Sequence, residues 1–320
     1  MSPKVSIIVP VYGVERYIDR CAVSLFEQTY SNIEYVFVND ATKDKSIDIL
    51  EQVIARYPAR QKDVRIITHP QNKGISATRN TGLLATTGDY IFYVDSDDYL
   101  AHEAITHLVH HAEKTKADIV LFDTNIITLK GIRIARVRFE NKEHYIKNLL
   151  HHTANCAHWN KFYNASFYKA TNVLADERVR FADDYVVTPR LVHQAQRISV
   201  LHEPLYFYET TNQSSYVHNL KRAAVESQYL ADSIVINYFT HVTDAASYAD
   251  MLAVLPQRSM VSLAKNTNKE GWRLICSVYS NTCSASGKGL TFINLLIFRL
   301  LQRQQFTCLD YLMRLYHCLC

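Results

Sequence analysis

A single stretch of sequence, IFYVDSDDYL at residues 91–100, indicates both the fold and the place of the functional site. It begins with a run of apolar and aromatic residues, which is typical of a buried strand. It ends with three carboxylates, Asp95, Asp97 and Asp98, at the point where that strand stops. The stretch therefore predicts a strand whose tip presents negative charge.

Similar apolar runs recur along the first part of the chain and alternate with helical patterns. The predicted strands are VSIIV (5–9), EYVFV (34–38), VRIIT (64–68), YIFYV (90–94) and IVLF (119–122). Apolar residues at helical spacing follow each of the first four strands. Strands that alternate with helices indicate βαβ units, and strands without polar alternation are covered on both faces. We therefore predict an α/β fold with a mostly parallel central sheet flanked by helices.

The regular alternation ends after the fifth strand. The stretch IRIARVRFE, residues 132–140, alternates apolar and charged side chains and predicts a strand or one arm of a hairpin. Residues 145–152 predict a helix, and the chain from about Leu220 onward has helical spacing. We therefore expect an α/β domain at residues 1–218 and a helical C-terminal region at residues 219–320.

The composition is that of a folded protein without a nucleic-acid partner. The chain has 320 residues, of which 48% are hydrophobic and 21% charged, with a formal net charge of +4. That balance is ample for a packed core and lacks the strong basicity of nucleic-acid binders. We find no apolar window long enough for a membrane span and no secretory h-region. Seven cysteines without a disulfide pattern indicate a reducing, cytoplasmic location.

Polar side chains follow several predicted strands at their carboxyl ends, where open α/β sheets bind ligands. These side chains are Asn39 and Asp40 after the second strand, Lys73 after the third, and Asp95, Ser96, Asp97 and Asp98 after the fourth. Carboxylates held close together repel one another unless a cation lies between them, and oxygen ligands suit Mg²⁺ or Mn²⁺. The pattern therefore predicts a divalent cation at the strand tip. The alternative is that Asp97 or Asp98 only caps the following turn.

A second motif, NKGISATRNTGL at residues 72–83, places a glycine at the start of a helix and Arg79 on its second turn. A guanidinium in that position suits an anion or a base edge, and the alternative is an exposed helical arginine. No Gly-x-Gly-x-x-Gly motif follows the first strand, which disfavours a dinucleotide-binding fold, and the sequence has no P-loop.

Four blocks of the sequence, in this order, resemble the signature blocks of family 2 glycosyltransferases of the GT-A fold. The blocks are PVYGVERYIDRCAVSLFEQTY (10–30), EYVFVNDATKDKS (34–46), NKGISATRNTGL (72–83) and YIFYVDSDDYL (90–100). The resemblance continues more weakly through residues 158–164, 178–192 and 203–215 and does not reach the last hundred residues. It implies a GT-A catalytic domain with a nucleotide-sugar-binding half at 1–125 and an acceptor-side half at 126–218.

The resemblance implies which residues surround the nucleotide base. They are Pro10, Val11, Tyr12 and Glu15. Asp40 would accept a hydrogen bond from the imide of uracil. The chain departs from the family pattern at Asn39, where an acid is usual, and at Ala41, where glycine is usual. These departures put the base preference in question and leave nucleotide recognition as the expectation.

The resemblance also implies roles further along the donor. Lys73 and Arg79 would lie near the base and the diphosphate. Asp95 and Ser96 would contact the nucleotide sugar, and Asp95 and Asp97 would be the ligands of a bound Mn²⁺ or Mg²⁺. Such a cation would stabilise the charge that develops on the leaving diphosphate.

Sugar transfer also needs a base that takes the proton of the acceptor hydroxyl. In the family this is an acidic pair after a short aromatic-containing run, and FADDY at residues 181–185 occupies that place. The resemblance implies Asp184 as the base and Asp183 as its support, with the assignment between the two open. The alternative is a helix N-terminus rich in acids because of the helix dipole. Single displacement with one base implies inversion at the anomeric carbon.

The last stretch, LTFINLLIFRLLQRQQFTCLDYLMRLYHCLC at residues 290–320, is apolar with interspersed arginines. Such a segment either lies in a membrane interface or packs on the catalytic domain or on a second subunit of a homodimer. The first alternative predicts peripheral contact with the cytoplasmic face of the inner membrane.

The resemblance implies an enzyme that moves a hexosyl or N-acetylhexosaminyl group from a nucleotide sugar, with UDP expected as the nucleotide. The implied acceptor is a saccharide or a lipid-linked saccharide in the synthesis of a bacterial surface polysaccharide, O-antigen, capsule or lipooligosaccharide. The alternative from another class of protein is a non-catalytic sugar-nucleotide-binding or scaffold subunit of a polysaccharide assembly complex.

Overall fold

The computed structural model describes residues 2–211, 222–284, 287 and 289–319. The strands are β1 (Val5–Val11), β2 (Ile33–Asn39), β3 (Val64–Thr68), β4 (Tyr90–Tyr93), β5 (Tyr99–Leu100), β6 (Ile119–Thr128), β7 (Gly131–Ala135), β8 (Lys161–Asn164) and β9 (Ile198–Glu209). The helices are α1 (Ile18–Phe26), α2 (Ser46–Arg56), α3 (Pro58–Gln61), α4 (Ile75–Ala85), α5 (Ala104–Thr115), α6 (Lys142–Leu150), α7 (Ala165–Ala170), α8 (Asp183–Gln194), α9 (Arg222–Thr240), α10 (Ala249–Leu252), α11 (Leu255–Lys265), α12 (Lys269–Val278), α13 (Phe292–Gln302) and α14 (Phe306–Leu319).

The strands form one sheet in the order β3-β2-β1-β4-β8-β6-β9-β5, with β7 paired on β6. The first four strands in this order are parallel, as are β6 and β9. β8 runs antiparallel to both β4 and β6, and the pairs β5–β9 and β6–β7 are antiparallel as well. The predicted α/β fold is therefore confirmed, with parallel pairing concentrated in the first half of the sheet.

The first two strands are buried along their whole length, as the unbroken apolar runs predict. Because side chains alternate along a strand, Val5, Ile7 and Val9 enter the core that includes α1 and α2, whereas Ile8 packs into a second core with α4. Gly82 on α4 permits this contact, since a Cβ there would lie 2.3 Å from the Cγ2 atom of Ile8. Both faces of the parallel half are thus covered.

The register brings the carboxyl ends of the parallel strands level with one another. Val11 pairs with Asn39, and Asn39 pairs with Thr68. The stretch predicted as a strand or hairpin arm forms β7, but the chain leaves the sheet after Ala135. The amide of Val137 instead donates to the carboxylate of Asp123 over 2.8 Å.

The C-terminal helices enclose an apolar core of their own. Its largest members are Trp272, Tyr279, Phe298, Phe306 and Met313. Because α13 and α14 contribute Ile297, Phe298 and Leu309 to this core, the end of the chain packs on the preceding helices. No helix in the described ranges is long and apolar enough to cross a membrane. The predicted domain boundary at residue 218 falls outside the described residues and stays a prediction.

A buried carboxyl group joins three of these helices. Asp232 of α9 accepts hydrogen bonds from Gln228 Nε2 (3.0 Å), from Ser259 Oγ on α11 (2.8 Å) and from the Tyr279 hydroxyl after α12 (2.9 Å). Burial raises the pKa of Asp232 to about 7, and the three donors only partly oppose it. This carboxyl group is therefore a structural link in the helical region.

Candidate active site

The acidic turn after β4 separates its carboxylates into two kinds. The amide of Asp98 donates to the carbonyl of Asp95 over 3.0 Å and closes the turn. The Asp98 carboxyl is buried and accepts from the Tyr206 hydroxyl (2.6 Å) and from the amide of Glu209 (2.7 Å). Burial, followed by the charges of Asp97 and Asp95, raises the pKa of Asp98 well above its usual range. Asp98 therefore ties the turn to β9, while Asp95 and Asp97 are partly exposed.

Arg79 connects this turn to the second predicted acidic cluster. It is nearly buried on α4, its Nη2 lies 2.9 Å from Asp95 Oδ1, and its Nη1 lies 2.5 Å from Asp183 Oδ2. Burial opposes the charge on Arg79, but the charges of Asp183, Asp95 and Asp184 outweigh it and raise the pKa of the guanidinium. The predicted exposed-arginine alternative is therefore wrong, and the structure brings the two acidic clusters into one site.

The loop before α8 is held in place by α4. The Ser76 hydroxyl donates to the carbonyl of Val179, and Asn80 exchanges two hydrogen bonds with Ala175, of 2.9 and 3.1 Å. Ala182 then takes a left-handed conformation, with φ 65°, that residues other than glycine seldom adopt. The left-handed turn starts α8 with two acids in its first turn.

The two acids at the start of α8 differ in their partners. Asp183 is buried against Arg79, whereas the hydrogen bond found for the Asp184 carboxylate comes from the amide of Tyr185 over 2.9 Å. Burial and then the charge of Asp183 raise the pKa of Asp184 to about 6, against the opposing charges of Arg79 and Lys161. A carboxyl group with that pKa is largely ionised at neutral pH and still basic enough to accept a proton.

The far side of α8 packs on other helices. It contacts α6 and α9. The His152 ring lies 4.5 Å from that of Tyr185, centroid to centroid, next to the predicted base. The position of Asp184 at the start of α8 thus depends on the packing of that helix against α6 and α9.

The Asp40 carboxylate organises the loop that leads into α4. Its two oxygens accept from the amides of Lys73 and Gly74, each over 2.8 Å, and Oδ1 lies 2.8 Å from His69 Nδ1. Gly74 has φ 90°, and a Cβ there would lie 3.4 Å from Arg180 Cγ. Asp40 therefore positions this loop; its predicted hydrogen bond to a uracil imide stays a prediction.

The other residues predicted around the base lie at the same edge of the sheet. Pro10 and Val11 are buried at the end of β1, and Tyr12 beyond them is 44% exposed. The carboxylate of Glu15 accepts from the amide of Lys45 over 3.1 Å, so it braces the loop after β2. Tyr12 and Glu15 are thus the exposed members of this set, and Tyr12 is the one with an aromatic ring that a base could stack on.

The residues at the acidic turn fit a divalent cation only if a bound substrate supplies further ligands from its phosphates. No group of three or more His, Cys, Asp and Glu side chains in the described part of the chain is arranged to hold a metal ion. Mg²⁺ sites commonly combine one or two carboxylates with substrate phosphates. Asp95, whose Oδ1 is paired with Arg79, and Asp97 are partly exposed carboxylates that could hold such a cation, whereas Asp98 is buried and hydrogen-bonded.

Comparison with known proteins identifies the family. The sequence model of "Glycosyl transferase family 2" matches residues 6–172, which is more than half of the chain. The chain belongs to this family. The match includes Arg79 and the acidic turn and ends before Asp183 and Asp184.

A relative in Bacillus subtilis, described as the uncharacterized glycosyltransferase EpsJ, is 34% identical over 259 residues, which are 75% of this chain and 71% of the relative. TarS of Staphylococcus aureus, a poly(ribitol-phosphate) beta-N-acetylglucosaminyltransferase, is 26% identical over 219 residues, which are 67% of this chain and 37% of TarS. The chain is therefore a glycosyltransferase.

Solved structures confirm the GT-A fold of this glycosyltransferase. Residues 1–349 of S. aureus TarS in complex with UDP-GlcNAc align with a TM-score of 0.73 at 19% identity, covering 98% of this chain and 91% of that one. The mannosyltransferase PcManGT from Pyrobaculum calidifontis, in complex with GDP-Man and Mn²⁺, aligns with a TM-score of 0.56 at 14% identity, covering 98% and 86%.

Tyr206 is a residue of the glycosyltransferase site that was not found from the sequence. The Tyr206 hydroxyl accepts from the amide of Asp95 over 3.1 Å while donating to Asp98. Trp159 stacks on Tyr206 and on Tyr208, both at 5.0 Å between centroids. The alternating aromatic residues of β9 are a signal for a packed strand face, but they do not indicate that this face supports the acidic turn.

Proposed function

We propose that this glycosyltransferase transfers a hexosyl or N-acetylhexosaminyl group from a UDP-sugar to a hydroxyl of a saccharide acceptor, with inversion, in the synthesis of a bacterial surface polysaccharide. The names of the relatives support a polysaccharide acceptor, and the beta linkage in the name of TarS supports inversion of an α-linked donor. The complex of TarS with UDP-GlcNAc supports UDP as the nucleotide.

One observation carries this proposal. Arg79 is paired with Asp95 of the acidic turn and with Asp183 of α8, and this link supports our assignment of the first to the donor side and of the second to the base pair. Because Arg79 neutralises Asp183, its neighbour Asp184 remains available as a base. An acidic helix N-terminus that served only the helix dipole would need no such link to the acidic turn.

In the proposed reaction Asp184 acts as the base. Asp184 takes the proton from the acceptor hydroxyl while the hydroxyl oxygen attacks the anomeric carbon, and the bond from that carbon to the diphosphate oxygen breaks. Asp183 and Arg79 hold the start of α8 so that the base keeps its position. Attack from the side opposite the leaving group inverts the anomeric centre.

On the donor side we propose that Tyr12 covers the base and that Lys73, exposed at the start of α4, approaches the diphosphate. Asp95 and Asp97 would hold Mn²⁺ or Mg²⁺, a choice supported by the Mn²⁺ in the PcManGT complex. When bound, such a cation would stabilise the negative charge of the leaving diphosphate.

The first test is the melting temperature of the protein with UDP, GDP, CDP and dTDP, each with and without Mn²⁺. A ligand that binds only the folded state raises the melting temperature by mass action. We expect the largest rise with UDP and Mn²⁺ together, and no rise with any nucleotide would contradict the proposed donor site.

A matched pair of variants then tests the metal ligands. We expect Asp97→Ala to lose the Mn²⁺-dependent part of the rise, because one of two proposed protein ligands is removed. Asp250→Ala, which removes an exposed acid on α10, should keep it. If Asp97→Ala keeps the full Mn²⁺ dependence, the metal assignment is wrong.

Turnover of a UDP-sugar by the wild-type protein separates the enzyme from a non-catalytic binding subunit.

A further inference from the structure

The hairpin of β6 and β7 exposes apolar side chains that the proposed reaction does not use. Leu129 at its two-residue turn is 94% exposed, and Ile132 and Ile134 on β7 are 60% and 49% exposed. Ile132 and Ile134 are two residues apart and therefore lie on one face of the ribbon. Side chains of this size are seldom grouped on a surface that contacts only water.

The same hairpin, together with the three residues that follow β7, is strongly basic. The residues Lys130, Arg133, Arg136 and Arg138 are all exposed. In the ranges that the structure describes, no ion pair involves any of the four, whereas the exposed Arg56, Lys116 and Arg178 are each paired with an acid. Residues 128–138, which we call the basic hairpin, thus combine exposed apolar side chains with uncompensated positive charge.

The basic hairpin lies at the catalytic edge of the sheet. β6 runs antiparallel to β8, and β8 runs antiparallel to β4, so β6 and β4 end at the same edge. Ile127 pairs with Glu209, whose amide binds Asp98 of the acidic turn. The turn of the hairpin therefore extends beyond the level of the acidic turn.

We propose that the basic hairpin binds the surface of a bilayer that contains anionic lipids. Basic side chains are attracted to anionic headgroups, and apolar side chains between them gain free energy by entering the boundary of the acyl chains. A soluble anionic polymer would pair with the arginines and leave Leu129, Ile132 and Ile134 in water. The apolar residues therefore favour a bilayer over such a polymer.

The basic hairpin is a different surface from residues 290–320, for which the sequence predicted a membrane contact. There α13 and α14 bury Ile297, Phe298 and Leu309 in the helical core, and Arg314 pairs with Asp310 over 2.9 Å. These helices also expose large apolar side chains, namely Phe292, Leu296, Tyr311 and Leu315, so the two surfaces have to be compared by experiment. Binding through the basic hairpin would turn the catalytic edge toward the bilayer. That orientation would bring the proposed base near an acceptor carried on a lipid, a consequence that rests on the proposed function, whereas the binding itself does not.

The test is flotation of the full chain with vesicles of phosphatidylcholine alone and of phosphatidylcholine mixed with phosphatidylglycerol. We expect binding to the anionic vesicles, little binding to the neutral ones, and weaker binding as salt rises. Each basic residue near an anionic surface contributes about 1 kcal/mol, or about fivefold in partitioning. Lys130→Ser with Arg136→Ser should therefore lower the partition coefficient roughly 25-fold.

Matched variants locate the surface. Lys62→Ser with Lys114→Ser removes two exposed lysines elsewhere and should change binding much less. Leu129→Ser with Ile132→Ser should weaken binding on the order of tenfold, because apolar burial is lost. Phe292→Ser with Tyr311→Ser, on the exposed side of α13 and α14, should leave it nearly unchanged. Melting temperatures and UDP binding of each variant show whether the fold and the donor site are intact.

Several results would overturn the proposal. Equal losses in the hairpin pair and the lysine pair would mean that net charge alone drives binding. Equal binding to neutral vesicles, or a loss confined to the Phe292 and Tyr311 variant, would exclude the hairpin. A soluble polyanion that binds the apolar hairpin variant and the wild type equally, with no vesicle binding, would assign the surface to a polymer. A hairpin variant that changes a dimer to a monomer in sedimentation without lipid would assign it to a second copy of the chain.

Discussion

Asp184 and Asp232 are buried or partly buried carboxyl groups on helices, and burial raises the pKa of each, to about 6 and about 7. Their partners differ. Asp232 is surrounded by three neutral donors that belong to the helical core, whereas Asp184 has the neighbouring amide of Tyr185 and lies beside the charged pair of Asp183 and Arg79.

The difference shows that a raised pKa by itself does not identify a catalytic acid or base. Hydrogen bonds from Gln228, Ser259 and Tyr279 make Asp232 a fixed part of the core. Asp184 is left with acceptor capacity at a partly exposed position. The number of satisfied lone pairs separates the structural carboxyl group from the one that we propose as the base.

The largest expected effect is on turnover by Asp184→Asn. The amide cannot take the hydroxyl proton, so kcat should fall by roughly 10²- to 10⁴-fold, the usual contribution of a general base. The melting temperature should not fall, because a partly buried charge is removed. Steady-state kinetics with a UDP-sugar and a saccharide acceptor would measure this, and wild-type turnover in the variant would exclude Asp184 as the base.

For Asp232→Ala we expect a loss of stability with little change in turnover. Truncation leaves three buried donors without their acceptor and should cost on the order of 3 kcal/mol in the free energy of unfolding. At temperatures where the variant stays folded, kcat should be close to that of the wild type. Chemical denaturation and kinetics on the same preparation would check both. A large loss of kcat in folded Asp232→Ala would show that the two carboxyl groups do not have separate roles.

The pH dependence of activity and of stability should run in opposite directions. Activity should rise with pH as Asp184 loses its proton, with a limb near its pKa of about 6. Asp232 keeps its proton in the folded state up to about pH 7, whereas the unfolded chain loses it near about pH 4, so its contribution to stability falls as pH rises through that range. Asp232→Asn should remove the contribution of Asp232 to this fall in denaturation experiments, leave the share of Asp184, whose pKa is also raised, and keep the activity limb in place.

The smallest effect is expected from Ala182→Gly. Ala182 holds a left-handed conformation directly before the acid pair, and glycine accepts that conformation without strain but adds freedom to the unfolded chain. The relief of backbone strain and the added entropy of the unfolded chain oppose each other, so the free energy of unfolding should change by no more than about 1 kcal/mol. Gln304→Gly, at φ 50° between α13 and α14, is a control outside the proposed site. A fall in kcat only in Ala182→Gly would show that the fixed backbone positions the base.

The sequence predicts the parallel half of the molecule closely for a physical reason. β1 and β2 are buried along their whole length and consist mostly of apolar residues, so their positions follow from the sequence. β3 is only partly buried, and it was predicted with the bounds it has, Val64–Thr68. The acids after the strands could be assigned to one edge because parallel strands end together.

Two features of the site could not be predicted in this way. The bridge from Arg79 to Asp183 joins residues 104 positions apart in sequence. The left-handed Ala182 carries no signal, since alanine gives no indication of positive φ. Both depend on tertiary contacts of α4 with the loop before α8.

The packing of α8 has a consequence for the construction of chimaeric enzymes. Its first turn supplies the proposed base, while its far side contacts α9. A recombination point placed between α8 and α9 would set a helix from one parent against a partner from the other and disturb Asp184 through Tyr185. An exchange of C-terminal helices between relatives should therefore keep α8 and α9 from the same parent and join the two sequences after Thr240.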